Sequence, residues 1–142
     1  MKRQEVEALL DRYSAWLKDR TEVRELGKWV EITTPYVDHH NDHLQLYVTK
    51  DETGLMITDD GYIINDLAQS GFSINSPKRA ALLREALTSF GVTESEGVLQ
   101  VHASPETFPM KKHNLVQAML SINDLFNLAE SNVANFFIED VA

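Results

Sequence analysis

The sequence contains no cysteine among its 142 residues. Disulfide bridges, thiolate metal sites and a cysteine nucleophile are therefore excluded, and the cytoplasm is the expected location. Only six glycines are present, and none lies in a Gly-rich phosphate-binding motif, so a nucleotide-binding fold is not predicted. No apolar run approaches the roughly 20 residues that cross a bilayer, and the charged start is unlike a signal peptide. We expect no association with a membrane.

Positive charge is also scarce. The chain has 13 Lys and Arg against 22 Asp and Glu, which gives a net charge of -9. In residues 29–75 only Lys50 opposes eight acids. These are Glu31, Asp38, Asp42, Asp51, Glu52, Asp59, Asp60 and Asp66. Nucleic-acid binding depends on a basic surface, so direct nucleic-acid binding is disfavoured, and a basic protein surface, a metal or a cationic ligand fits better.

The first half of the chain predicts one helix followed by a strand-rich segment. Apolar residues at helical spacing predict an amphipathic helix that ends near Gly27. Residues 29–34 predict a strand that stops at Pro35, and residues 44–49 alternate between apolar and polar side chains as a half-buried strand does. Residues 55–58 predict a third strand, after which Asp60 and Gly61 predict a tight hairpin turn into a fourth strand at residues 62–64. A short helix is predicted from Asn65 to Gly71.

The second half predicts two helices around one later strand. Ser76 before Pro77 is a helix start signal, and Gly91 is the predicted end of that helix. Residues 98–101 predict a strand, and a long final helix follows with a buried stripe of Leu115, Met119, Ile122, Phe126 and Ala129. Residues 133–138 are apolar and predict either a last strand or a contact surface. The segment 132–142 is therefore interpreted as a link to a second domain or as an interface.

This order of elements has no regular alternation of strands and helices, so the predicted fold class is α+β. We expect one domain over residues 1–142, built on a small antiparallel sheet. Its sheet would be a meander of three to four strands plus one later strand, packed with an N-terminal helix, a middle helix and a long C-terminal helix. A chain of this length is long enough to bury one core.

Four short motifs occur in order at residues 31–36, 40–48, 57–62 and 76–79. With these motifs the chain resembles a prokaryotic family of domains of unknown function, the family numbered 1828, from about residue 29 to residue 90. The resemblance implies an occurrence in bacteria and in their phages or mobile elements, often ahead of a second uncharacterised domain. It implies no catalytic residues.

Residues 38–43 place five side chains that bind metals within six positions. Imidazole and carboxylate groups together suit zinc, manganese or non-haem iron, so His40, Asp42 and His43 are candidate ligands of a divalent metal, which is the one cofactor considered. The alternatives are a polar turn, in which Asp38 or Asn41 bonds to nearby backbone, and a loop that contacts another protein.

Asp59 and Asp60 form a second candidate site. Together with Asp42 they suggest a divalent-metal-dependent phosphoesterase or nuclease, in which the three carboxylates would share a cation. The alternative is a type I′ turn with positive φ at Asp60 and Gly61. Adjacent strand residues point to opposite faces, so the carboxylates converge only if the turn bends one of them back.

The leading interpretation is a non-enzymatic interaction protein whose acidic sheet surface binds a protein partner with a basic surface. The predicted binding surface consists of Asp38, His40, Asp42, His43, Asp59, Asp60 and Arg79. Catalysis by Asp42, Asp59 and Asp60 is the alternative. A homo-oligomer formed through Phe136 and Phe137 is a third hypothesis.

Overall fold

A computed structural model describes residues 1–71 and 76–141, with side chains described as far as residue 125. Helices and strands alternate irregularly along the chain. Their order is α1 (Arg3–Asp19), β1 (Glu22–Leu26), β2 (Trp29–Val37), β3 (His43–Asp51), β4 (Gly54–Thr58), α2 (Tyr62–Gln69), α3 (Pro77–Ser89), β5 (Thr93–Ser95), β6 (Val98–Ala103) and α4 (Phe108–Val141).

The described strands form one antiparallel sheet in the order β1-β2-β3-β4-β6-β5. Strands β1 to β4 are a meander, and β6 adds to β4 after the chain has passed through α2 and α3. The predicted α+β class is confirmed, as are the N-terminal, middle and C-terminal helices. Strand β5, which pairs with β6, was not predicted, because three exposed residues carry no periodic signal.

The two faces of the sheet differ because side chains alternate along each strand. Leu44 and Leu46 of β3 point to the same face as Ile57 of β4, and all three are fully buried. They belong to one apolar cluster with Leu67 of α2 and Met119 of α4. The opposite face carries Thr33, Gln45 and Tyr47 and other polar side chains. The core therefore lies on one side of the sheet and leaves the other side open.

Helix α1 ends at Asp19, so the prediction that it continues to Gly27 is wrong. Residues 22–26 instead pair with β2, and Gly27 lies in the hairpin turn with φ of 64°. Sheet pairing overrides local helix propensity here. No residue of α1 is buried, and Leu9 and Trp16 on its apolar stripe are 52% and 48% exposed.

Two strand predictions near the candidate sites are also wrong. Pro35 lies inside β2, which continues to Val37. A proline is tolerated there because the pairing with β3 is irregular between Thr33 and Val37, so the N–H group that proline lacks is not needed for a regular hydrogen bond between the strands. Residues 62–64 begin α2 and do not form a strand. The predicted positive φ angles at Asp60 (58°) and Gly61 (83°) are present, but the turn leads into a helix.

The later helices follow the prediction more closely. The hydroxyl of Ser76 accepts a hydrogen bond from the backbone N–H of Arg79 at 3.1 Å, so the predicted N-cap of α3 is confirmed. Residues 133–138 lie in α4, so a last strand is wrong. The side chains of Phe126, Ala129, Phe136 and Phe137 lie outside those described, and the contact surface and homo-oligomer stay predictions. Among the described residues, no helix combines the length and apolar character that a membrane span requires.

Candidate functional site

The open face of the sheet contains a groove made of three adjoining cavities. The first cavity, beside the β2–β3 loop, has a volume of about 410 Å³. It is lined by Thr33, Asp42, His43, Gln45, Tyr47, Asp59 and Tyr62. A second cavity of about 650 Å³ shares Thr33 and Gln45 with it, and a third of about 250 Å³ shares Tyr47. Because neighbouring cavities share lining residues, we take the three together and call them the sheet groove.

Acidic side chains outnumber basic ones among the described residues that line the sheet groove. The second cavity is lined by Glu22, Arg24 and Glu31 from β1 and β2, and the third by Asp60. Together with Asp42 and Asp59 of the first cavity, the groove has five carboxylates. Among the described lining residues, Arg24 supplies the one guanidinium along the groove, and its Nη2 atom lies 3.4 Å from Oε1 of Glu31. The groove therefore has an excess of negative charge and suits a cationic ligand.

Tyrosine hydroxyls add hydrogen-bonding capacity to the groove. Burial and the neighbouring carboxylate of Glu31, to which Tyr47 is hydrogen-bonded, raise the pKa of Tyr47. Burial and the carboxylate of Asp38 raise the pKa of Tyr62. Both hydroxyls consequently keep their protons at neutral pH.

Asp59 lies at the floor of this groove, where its side chain bonds to the backbone. Its side chain is fully buried (0% exposed), and its carboxylate accepts three backbone hydrogen bonds. Atom Oδ1 accepts from the N–H groups of Gly61 at 2.9 Å and Leu99 at 3.0 Å, and Oδ2 accepts from Ile63 at 3.1 Å. Asp59 thereby joins the start of α2 to strand β6. Asp60 is exposed and lines a different cavity, so the structure does not bring Asp42, Asp59 and Asp60 into one cavity.

The buried position of Asp59 predicts a pH dependence of stability. Burial raises the pKa of Asp59 above its ordinary value of 3.8, although the three hydrogen bonds oppose the shift. Its contribution to the free energy of unfolding is therefore complete below pH 3.8 and is lost as pH rises through the raised folded-state pKa. Asparagine at position 59 cannot titrate. We therefore expect the difference in free energy of unfolding between the unmodified chain and Asp59→Asn to become smaller as pH rises through this pKa. Urea unfolding of both proteins at a series of pH values measures this difference. A difference that does not change with pH would contradict the prediction.

The β2–β3 loop, residues 38–42, is organised by Asp38. Its buried carboxylate accepts hydrogen bonds from the N–H groups of His40 (2.8 Å) and Asp42 (3.0 Å) and from the hydroxyl of Tyr62 (2.8 Å). Burial disfavours the charged form, but these hydrogen bonds outweigh it and lower the pKa of Asp38. Asp38 thus bonds to nearby backbone, as the polar-turn interpretation predicts. The same contacts attach the loop to α2.

The predicted metal ligands His40, Asp42 and His43 point in different directions. Nδ1 of His43 lies 2.9 Å from the carbonyl oxygen of Thr34, whereas Asp42 is exposed beside the groove. Nε2 of His40 lies 2.9 Å from Oδ1 of Asp66. Arg79, also predicted for the binding surface, lies in the first turn of α3 and does not line the groove.

Among the described residues, one group of histidines and acids could hold a metal ion. It consists of His39, His40 and Asp66, and one ligand atom of each lies within 4.8 Å of the others. Sequence reasoning counted His39 among the five metal-binding side chains of residues 38–43 but did not select it as a ligand, and it missed Asp66. The sequence does contain an indication of the position of Asp66. In a helix that starts at Tyr62, Asp66 lies four residues after Tyr62 and therefore on the same face of the helix. Placing the start of this helix at Asn65 hid that relation.

The fold and the groove define a small α+β domain with its helical core on one side of an antiparallel sheet and an acidic groove on the other. The chain belongs to the family described as "Domain of unknown function DUF1828", which matches residues 34–122, more than half of the chain. The resemblance seen in the sequence is thereby confirmed. Comparisons with curated proteins and with solved structures give no match.

Proposed function

We propose that this domain is a non-enzymatic interaction module whose sheet groove binds a basic, extended segment of a partner protein. One observation carries the proposal: among the described residues, five carboxylate side chains and a single guanidinium line the sheet groove. Lysine and arginine side chains of a partner would lie in the field of these carboxylates.

The shape and chemistry of the groove support an extended ligand. Strand β1 is an edge strand whose five residues are all exposed, and Glu22 and Arg24 on it line one end of the groove. An edge strand offers unpaired backbone groups to an extended chain. Gln45 and the tyrosine hydroxyls offer further hydrogen bonds along the groove floor. Such a surface would also present carboxylates where the phosphates of a nucleic acid would lie. It could therefore compete with a nucleic acid for a basic site on the partner.

A labelled oligoarginine peptide tests the proposal by fluorescence anisotropy. The groove variant combines Glu22→Gln, Asp42→Asn and Asp60→Asn, three exposed positions that leave the buried Asp59 intact. Each exposed charge contributes about 0.5 kcal/mol, so we expect about tenfold weaker binding at low ionic strength.

The matched control removes the same charge from helix α1 through Glu5→Gln, Glu7→Gln and Asp11→Asn. We expect its affinity for the peptide to stay within about twofold of the unmodified chain, because α1 does not line the groove. An equal loss of affinity in both variants would show that net charge alone attracts the peptide, and the groove proposal would then be rejected.

The metal-dependent phosphoesterase or nuclease built on Asp42, Asp59 and Asp60 stays an alternative prediction. Both oxygens of Asp59 accept backbone hydrogen bonds, which favours a structural role over metal ligation. The hydrolase hypothesis requires that Asp60→Asn abolish binding of a divalent metal.

A further inference from the structure

We propose that His39, His40 and Asp66 form a binding site for one divalent cation of the zinc class, separate from the sheet groove. Two imidazoles and one carboxylate are a ligand set that proteins use for zinc and for non-haem iron, with remaining coordination positions open to water or another ligand. The site joins three parts of the fold, namely the β2–β3 loop, α2 and, through Asn123, α4.

The tautomer of His39 follows from its contacts with Asn123. The backbone N–H of His39 donates to Oδ1 of Asn123 at 3.2 Å, so the amide atom facing it is the oxygen. Nδ1 of His39 lies 2.7 Å from that same oxygen and must therefore donate its hydrogen to it. In the neutral ring this places a lone pair on Nε2, which is 3.5 Å from Oδ2 of Asp66. A second group that fixes the tautomer of a histidine is typical of metal sites.

The distances between donor atoms are close to those around a shared ion, with one ligand atom of each residue within 4.8 Å of the others. Ligands about 2.1 Å from one ion are separated by about 3.0 Å at right angles and by about 3.4 Å at a tetrahedral angle. Nε2 of His40 lies 2.9 Å from Oδ1 of Asp66, and Nε2 of His39 lies 3.5 Å from Oδ2. The side chain of His40 is 44% exposed, so a small rotation can optimise its approach.

Burial and charge also favour a cation at this position. The side chains of His39 and Asp66 are only 12% and 13% exposed, and Oδ2 of Asp66 is buried without a hydrogen-bond partner among the described residues. A buried carboxylate oxygen requires a compensating positive charge. The rings of His39 and His40 lie 3.9 Å apart between centroids, so both imidazoles are close enough to share one cation.

The surrounding contacts hold these ligands in place. Asp38 fixes the backbone of the loop through the N–H of His40, and the hydroxyl of Tyr62 attaches Asp38 to α2. Tyr62 and Asp66 are one helical turn apart, so the helix that anchors the loop also supplies the carboxylate. Preorganised ligands lose little conformational entropy when the ion binds.

Isothermal titration calorimetry of the full chain with zinc chloride, after treatment with a chelator, tests the site. We expect one saturable site, and Asp66→Asn and His40→Gln should each weaken zinc affinity more than about 100-fold. Asn123→Ala, which removes only the group positioning His39, should weaken it about 10–100-fold. Cobalt(II) used as a spectroscopic probe should give a visible absorption band of nitrogen ligation that His40→Gln abolishes.

The control variants are His43→Gln at the end of the same loop and His102→Gln on β6. Both should bind zinc with unchanged affinity. Circular dichroism of the metal-free variants establishes that each is folded, and His40→Gln replaces the most exposed of the three ligands. Absence of saturable zinc and cobalt binding overturns the proposal, as does binding that survives both Asp66→Asn and His40→Gln or that His43→Gln removes equally.

Discussion

Replacing Asp59 with alanine is expected to lower the free energy of unfolding by about 3–5 kcal/mol, measured by urea unfolding at neutral pH. The carboxylate accepts hydrogen bonds from three backbone N–H groups, and each buried donor left without a partner costs about 1–3 kcal/mol. The loss would detach the start of α2 from β6, because Asp59 is the side chain that bonds to both.

Asp60→Asn is the matched control for this prediction. Asp60 is exposed, and asparagine tolerates its positive φ of 58°, so a change below about 0.5 kcal/mol is expected. If Asp59→Ala were as stable as the control, the hydrogen bonds of Asp59 would contribute little to the fold. A direct role of this carboxylate in ligand binding would then need to be considered again.

Gly54→Ala is expected to destabilise the domain by about 3 kcal/mol or more. Gly54 begins β4 with φ of 133°, a conformation that alanine rarely adopts, and this strain costs about 1–3 kcal/mol. A Cβ atom at this position would lie 2.8 Å from the backbone carbonyl oxygen of Ala103 on β6. The two strands would have to move apart, which adds about 1–3 kcal/mol, as overpacking of a core does.

Gly27→Ala separates the two causes. Gly27 also has positive φ, 64°, but an added Cβ atom would meet nothing within 4 Å. Only the backbone strain of about 1–2 kcal/mol should remain. Thermal or urea unfolding of both variants measures the difference, and equal destabilisation would show that the contact with Ala103 is relieved at no cost.

The acidic groove and the hydrophobic core were largely predictable from the sequence, because alternation along a strand assigns each side chain to a face. The pattern at residues 44–49 identified Leu44 and Leu46 as buried, and both are fully buried. It left Gln45 and Tyr47 for the opposite face, where they line the groove. The concentration of acids in residues 29–75 likewise anticipated four of the five carboxylates around that groove, and the fifth, Glu22, lies on β1.

The position of helix α2 was harder to predict. Residues 62–64 are aromatic and β-branched and favour a strand on local propensity alone. They are helical because Asp59 accepts the N–H groups of Gly61 and Ile63, and because Ile63 and Leu67 are buried on one helical face. Hydrogen bonding by a buried side chain and burial against distant residues both depend on the folded chain, so no local window of sequence contains them.

The sequence by itself determined the fold class, the cap of α3 and the acidic character of the central segment, because each depends on composition, periodicity or neighbouring residues. It also indicated the family, through a resemblance carried by four short motifs. Only the tertiary structure decided that Asp59 holds α2 against β6, that His43 contacts Thr34, and that His39 and His40 meet Asp66. These groups are separated by up to 40 positions along the chain, and only packing of the sheet against α2 and α4 brings them together.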